Sequence, residues 1–213
     1  LLDGHSTALL FFPTKALTYD QLKSFSGLIS GTGLSENPYL ASVYDGDTPS
    51  SQRMHIRQKT KILLSNPDML NIGILPHHTN WAHFFENLKY VVIDEIHLYR
   101  GVFGSHIANL IRRLNRIIDF YGAKPQYIMA SATIANPSDL AQKLAGRKVV
   151  EVAEDGSPRG EKQFVIYNPP FVNQELGIRE GVMSASTKLS TLFLVHDIQS
   201  LVFCRTRRFV ELL

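Results

Sequence analysis

The chain has 213 residues, 44% of them hydrophobic, which suits a sizeable core in one large domain or in one domain and a piece of another. Its formal charge of +3 is mildly basic, which permits nucleic-acid binding without demanding it. The single Cys204 excludes an internal disulfide framework and a cysteine-rich zinc site and fits a reducing compartment. No apolar run is long enough to span a membrane, and the first residues lack the basic, apolar and small-residue order of a signal peptide. The chain starts at Leu1 rather than Met and ends at Leu213 inside a helical pattern, so both ends read as cuts in a longer protein.

Strand and helix patterns alternate along the sequence. Residues 7–12 predict a strand that Pro13 stops, and a helix begins near Thr14 and runs through Leu17, Leu22 and Phe25. Gly27, Gly31, Gly33 and Pro38 then break the chain into a loop. Residues 40–44 predict a second strand, closed by the turn Asp45-Gly46-Asp47, and Ser50 can cap a helix reaching Lys59. Residues 61–64 predict a third strand, and residues 67–70 begin another helix. Tyr90, Val91, Val92 and Ile93 are apolar and mostly β-branched, which reads as a short strand buried on both faces.

The next segment gives the clearest helical period. Ile107, Leu110, Ile111, Leu114, Ile117 and Ile118 share one face, and Asn109, Arg112, Arg113 and Arg116 share the other. Residues 127–129 predict a strand leading into Ser131-Ala132-Thr133, and Asn136 or Ser138 can start the next helix. Residues 149–152 and 164–167 predict strands on either side of turn chemistry at residues 155–160. Residues 168–185 read as irregular. A helix around residues 187–195 leads to a strand at residues 200–203, and Thr206 starts a last helix. The alternation predicts an α/β fold, a parallel sheet with helices on both faces. The expected division is a first domain over residues 1–152, a connecting segment over 153–185, and the start of a second domain over 186–213.

Several predicted strands end in polar groups, and in a parallel sheet all of these point to one rim, where open α/β folds place ligands. The pair Asp94-Glu95 follows the buried strand directly. Adjacent carboxylates repel and are costly to bury unless a cation joins them, which suggests a magnesium–nucleotide site; the plainer reading is a solvated acidic turn. Pro13, Thr14 and Lys15 form a helix start that can hold a phosphate through backbone amides, or an ordinary cap. Asn66, Pro67 and Asp68 form a second such corner, or a common Asx-Pro turn. Ser131 and Thr133 can hydrogen-bond His97 or a carboxylate, or cap a helix. Arg205 lies in a basic turn after the last predicted strand, where a solvated charge run is the alternative.

In order and spacing these elements resemble the first RecA-like domain of a superfamily 2 DExH-box helicase, with the first strand and helix of the second. Residues 13–17 look like motif Ia, residues 65–70 like motif Ib, residues 94–97 like motif II, residues 131–133 like motif III and residues 202–206 like motif IV. The turn at residues 45–48 matches a family loop between motifs Ia and Ib. Residues 94–114, DEIHLYRGVFGSHIANLIRRL, are similar to DNA-repair helicases of the mitomycin repair factor A kind, which carry a separate C-terminal cysteine-cluster domain.

The resemblance implies ATP and Mg2+ as cofactors. It implies that Asp94 holds the magnesium through water, that Glu95 orients or deprotonates the attacking water, and that His97, Ser131 and Thr133 couple nucleotide state to motion. Pro13, Thr14, Lys15, Asn66, Pro67, Asp68, Arg100 and Arg205 are implied to line single-stranded or partly duplex nucleic acid, expected to be DNA. A solvated helix face is the better reading of Arg112, Arg113 and Arg116. The implied location is the nucleoid in a bacterium or the nucleus in a eukaryote.

One departure is large: the chain contains no G-x-x-x-x-G-K-[ST]. The phosphate loop is therefore expected upstream of Leu1, and the chain alone is expected to hydrolyse ATP poorly. That loop normally follows a central strand, so a gap or an exposed sheet edge is expected. Two other readings remain open. One is a RecA-like module that binds without turnover. The other is a metallohydrolase using His77, His78, His83, Asp94, Glu95 and His97, although these lack helical ligand spacing.

Overall fold

In the computed structural model, residues 5–31, 37–154, 156–158 and 160–212 are described; Leu1, Gly33, Asp155, Arg159 and Leu213, which figured above, lie outside the described residues. The chain divides into two compact units, Leu1–Asp155 and Gly156–Leu213.

The first unit is built on a five-stranded, all-parallel sheet in the order β2-β3-β1-β4-β5. Its strands are β1 (Thr7–Phe11), β2 (Ala41–Val43), β3 (Ile62–Ser65), β4 (Leu88–Ile93) and β5 (Gln126–Met129). The apolar runs pair in register, with Leu9 opposite Leu63 on one side and Val91 on the other. Side chains alternate between faces. Leu9, Phe11, Leu63, Val91 and Ile93 pack with Ile107, Leu110, Ile111 and Leu114 of helix α5 (Gly101–Phe120). Ala8, Leu10, Phe12, Ile62 and Leu64 face the opposite layer, covered by Leu17, Leu22 and Phe25 of helix α1 (Lys15–Ser30). The expected α/β architecture with helices on both faces is present.

Helix α1 runs through Gly27 and ends at Gly31, so Gly27 does not break it. A helical glycine costs only about 1 kcal/mol relative to alanine, which the packing of Leu22 and Phe25 offsets. Ser50 lies inside helix α2 (Ser50–Lys59), and the capping position is Pro49, which makes no side-chain cap bond. Residues 66–87 form a train of short helical turns. These are α3 (Pro67–Met69), a π-helical turn (Leu70–Ile74), a 3-10 turn (Leu75–Trp81) and α4 (Ala82–Glu86). They carry an aromatic cluster in which Tyr44 meets Trp81 edge-on at 4.9 Å.

β2 and β5 are the edge strands, no gap lies between the described strands, and Gln126 and Ile128 of β5 are exposed. Helix α6 (Pro137–Ala145) follows it. Three expected strands do not form. Residues 149–152, 164–167 and 200–203 run without regular pairing, and Val150 and Ile166 are 92% and 97% exposed. A β-branched run becomes a strand only where another strand accepts its backbone hydrogen bonds. Within residues 168–185, expected to be irregular, the antiparallel pair β6 (Phe171–Asn173) and β7 (Ile178–Arg179) forms and helix α7 (Val182–Val195) begins. A final helix α8 (Arg207–Leu212) follows Arg205.

Candidate nucleotide site and nucleic-acid interface

Because all five strands are parallel, the segments that follow them share one rim. In sheet order these are the turn at residues 45–48, the corner at 66–68, the corner at 13–15, the acidic segment at 94–97 and residues 131–133.

The acidic segment leaves β4 beside β1: the Asp94 amide donates to Phe11 O at 3.2 Å, and the Ile96 amide to Ala130 O at 3.0 Å beyond β5. Between these anchors Glu95 adopts a left-handed backbone at φ 54°, ψ 42°. For a non-glycine residue this costs about 1–3 kcal/mol and marks a position held by its surroundings. Asp94 Oδ1 accepts the Glu95 amide at 2.8 Å, and Glu95 O accepts the Leu98 amide at 2.9 Å, which fixes the turn. The strain directs the Glu95 side chain toward His97, whose Nδ1 lies 3.0 Å from Glu95 Oε2.

The same Nδ1 lies 3.2 Å from the backbone amide of Ala132, which donates to it. Accepting from Ala132 needs the nitrogen lone pair, whereas bonding Glu95 needs a proton on that atom. One nitrogen therefore serves one neighbour at a time. His97 does touch the segment at residues 131–133, through the Ala132 amide rather than through a hydroxyl. Ser131 Oγ instead donates to Ala132 O at 2.8 Å, and Thr133 is exposed.

Tyr99 was not singled out from the sequence. It is 1% exposed, packs against Phe11 and Phe103, and its hydroxyl has no hydrogen-bond partner. Burial, and then the charges of Asp94 and Glu95, push that hydroxyl well above the usual tyrosine range. An orphaned donor in the field of two carboxylates fits a site that gathers around a charged ligand.

At the corner of residues 13–15, Thr14 caps α1, its Oγ1 accepting the Leu17 amide at 3.3 Å. Pro13 is half-buried beside it. Lys15 is exposed but not free, because its Nζ pairs with Asp47 Oδ2 at 2.7 Å. That hydrogen bond raises the lysine above its ordinary value. At the corner of residues 66–68, Asn66 is buried and its Oδ1 accepts the Met69 amide at 2.9 Å, Pro67 occupies the first helical position, and Asp68 is exposed. Ser65 Oγ donates to Tyr44 O at 2.6 Å and ties this corner to β2. Next to it, Thr48 and the Asp47 amide hold Asp45 Oδ1, while the fully buried Asp45 Oδ2 lacks a partner.

Arg100 precedes α5 and its side chain is exposed. Arg205 lies in the second unit, exposed in a bend before α8. Among the described residues no group of three or more His, Cys, Asp or Glu side chains could share a metal. His78 instead bonds Tyr121 at 2.9 Å and His83 bonds Asn87. No helix among the described residues is long and apolar enough to cross a membrane.

The family model for the DEAD/DEAH box helicase matches residues 1–140. The chain belongs to the DEAD/DEAH box helicases. It is similar to the uncharacterized ATP-dependent helicase YprA of Bacillus subtilis, 48% identical over 99% of this chain and 28% of the relative. It is also similar to the ATP-dependent helicase HRQ1 of Saccharomyces cerevisiae, 40% identical over 100% of this chain and 20% of the relative. Among solved structures it resembles the DUF1998 helicase MrfA bound to DNA and AMPPNP, with TM-score 0.91, 48% identity, and coverage of 99% of this chain and 29% of that one. This helicase domain thus spans under a third of the length of each of these relatives. The resemblance to the mitomycin repair factor A kind, read above from residues 94–114, holds.

Proposed function

We propose that the protein carrying this domain is an ATP-driven helicase or translocase acting on DNA in repair. The observation that carries the reading is the strained Asp94–Glu95 turn at the end of β4, linked through His97 to the segment after β5. Its relatives are ATP-dependent helicases, and MrfA has been seen with DNA and AMPPNP. Residues 1–152 serve as the first RecA-like domain without its phosphate loop, 153–185 as the connection, and 186–213 as the start of the second RecA-like domain.

The donor set fits ATP with Mg2+ in part: the adjacent carboxylates of Asp94 and Glu95 stand at the end of β4, while the phosphate loop is not among these 213 residues. Asp94 would hold the magnesium through water, and when bound the ion would neutralise phosphate charge. Glu95 accepts or orients the proton of the attacking water. When His97 Nδ1 accepts from Ala132, Glu95 is released for that task; when Nδ1 carries a proton, it holds Glu95 back. Ser131 and Thr133 flank this link. Pro13, Thr14, Lys15, Asn66, Pro67, Asp68, Arg100 and Arg205 line the path of the nucleic acid, gripping phosphates without reading sequence. The site of action is the nucleoid in a bacterium or the nucleus in a eukaryote.

The test is Glu95→Gln in the intact protein, measuring ATP turnover with and without single-stranded DNA alongside nucleotide binding. Turnover falls by at least a hundredfold and binding is retained. Near-normal turnover would overturn the role of Glu95. A second reading is a module that binds without turnover, and absence of turnover in the unsubstituted intact protein would select it.

A further inference from the structure

Beyond the acidic turn, helices α5 and α6 flank a groove of about 490 Å3. Arg100, Asn109, Arg112, Asn136, Asp139 and Lys143 line it. The charges in this groove do not balance. Lys143 pairs with Asp139 at 2.7 Å, so those two cancel. Arg112 has only the neutral Asn109 as a partner, Nη1 to Oδ1 at 2.6 Å, and Arg100 has no ion-pair partner among the described residues. Two guanidinium groups therefore open onto one concave surface whose one carboxylate among the described residues, Asp139, is already paired with Lys143.

Their neighbours on α5 differ. Arg113 turns away to hydrogen-bond Asn71, and Arg116 does not line the groove. The structure thus divides a face that the helical period presented as one solvated stripe. The position of the groove is equally specific. It starts at Arg100, just after the acidic turn that ends β4, and at Asn136, just after the segment that ends β5. It therefore opens at the rim that carries the corners after β1 and β3 and runs down between α5 and α6.

We infer that this groove is a second phosphate-binding site for a nucleic-acid strand, with Arg100 and Arg112 each holding one backbone phosphate. The inference rests on the proposed binding of single-stranded nucleic acid. A guanidinium presents a planar fork of donors that matches phosphate oxygens, and amide side chains such as Asn109 and Asn136 add neutral donors beside it. A strand seated there touches the segments downstream of both chemical motifs.

The experiment measures binding of the protein to fluorescein-labelled oligothymidine by anisotropy over a range of salt concentrations. For single strands the slope of log K against log salt changes by about 0.7 for each phosphate neutralised. The Arg100→Ala/Arg112→Ala variant lowers the slope by about 1.4, the Arg100→Lys/Arg112→Lys variant restores most of it, and Arg116→Ala leaves it unchanged. Thermal unfolding by circular dichroism checks that each variant is folded. A wild-type slope in the double alanine variant overturns the inference, as does an equal loss on replacing Arg116. If Lys15→Ala weakens binding and the double variant does not, the groove falls, and Arg100 with it, while the rest of the proposed path stands. If the unsubstituted protein does not bind the oligonucleotide, the nucleic-acid reading falls with it.

Discussion

The two units carry similar apolar runs and bury them very differently. In the first, Leu9, Leu63, Val91 and Ile93 are all 0% exposed. In the second, Ala185 is the only described residue that is buried, while Ile166 and Phe203 are 97% and 88% exposed. Intrinsic preference is alike in the two: Phe164-Val165-Ile166-Tyr167 is as strand-prone as Tyr90-Val91-Val92-Ile93. The difference lies in neighbours. β4 has β1 on one side and β5 on the other, so its backbone groups are paired and both faces are covered. Residues 164–167 have no such partners among the described residues. A short apolar run is a strand by virtue of its sheet.

The sharpest way to break this comparison is to delete one aromatic ring from each unit. Phe85 is fully buried between Phe84 and Tyr121. Phe85→Ala removes a ring and leaves a cavity, an expected loss of about 3–5 kcal/mol. Phe203→Ala changes stability by less than about 0.5 kcal/mol, because the ring already faces solvent. Urea denaturation followed by near-ultraviolet circular dichroism reads both. Equal effects would mean that the second unit has a core of its own.

A smaller effect separates the units by pH. Burial raises Tyr127 to about 12, and burial with the nearby carboxylates raises Tyr99 further. The folded first unit therefore favours the neutral phenols, whereas the unfolded chain ionises them near pH 10. The stability they contribute is fully present below pH 10 and is lost as pH rises toward 12 and beyond. The expected loss by pH 12 is roughly 2 kcal/mol from each phenol, read from urea midpoints between pH 8 and 12. Tyr127→Phe flattens part of that slope, and it also removes the bond from the Tyr127 hydroxyl to Asn115 Oδ1 at 2.5 Å. A profile flat through pH 12 would contradict the burial of both rings.

Much of the first unit was legible because its signals are periodic. The stripe from Ile107 to Ile118 and the runs of β1, β3 and β4 state their faces directly. The candidate site was legible as a set of strand ends, since a parallel sheet brings such ends to one rim whatever their order in the chain. What lay outside the sequence was set by three-dimensional neighbours. The left-handed turn at Glu95 is imposed by the anchors on Phe11 and Ala130. The partner of His97 is a backbone amide, which no side-chain pattern can announce. Tyr99 read as one more aromatic residue after the acidic motif, and only its orphaned hydroxyl sets it apart. The pairing of Lys15 with Asp47 joins residues 32 apart in the chain. A strand-like spacing over residues 149–152 gave no hint that β5 would be the last strand of the sheet.

The smallest expected effect separates folding from binding at a single residue of the rim. Asn66 caps the turn after β3 through Oδ1, so Asn66→Ala costs about 1 kcal/mol of stability from the lost cap alone. A loss of nucleic-acid binding in that variant is ambiguous, because a frayed corner also moves Pro67 and Asp68. Asn66→Asp removes the ambiguity. Aspartate caps as well as asparagine, and its oxygen can still accept the Met69 amide, so the urea midpoint stays near the starting value. Its negative charge faces any phosphate that passes the corner. Oligonucleotide affinity therefore falls for Asn66→Asp while stability does not, and the fall is larger at low salt than at high salt. If affinity instead follows stability across the two variants, Asn66 is a cap that holds the rim in place, and the phosphate path runs elsewhere.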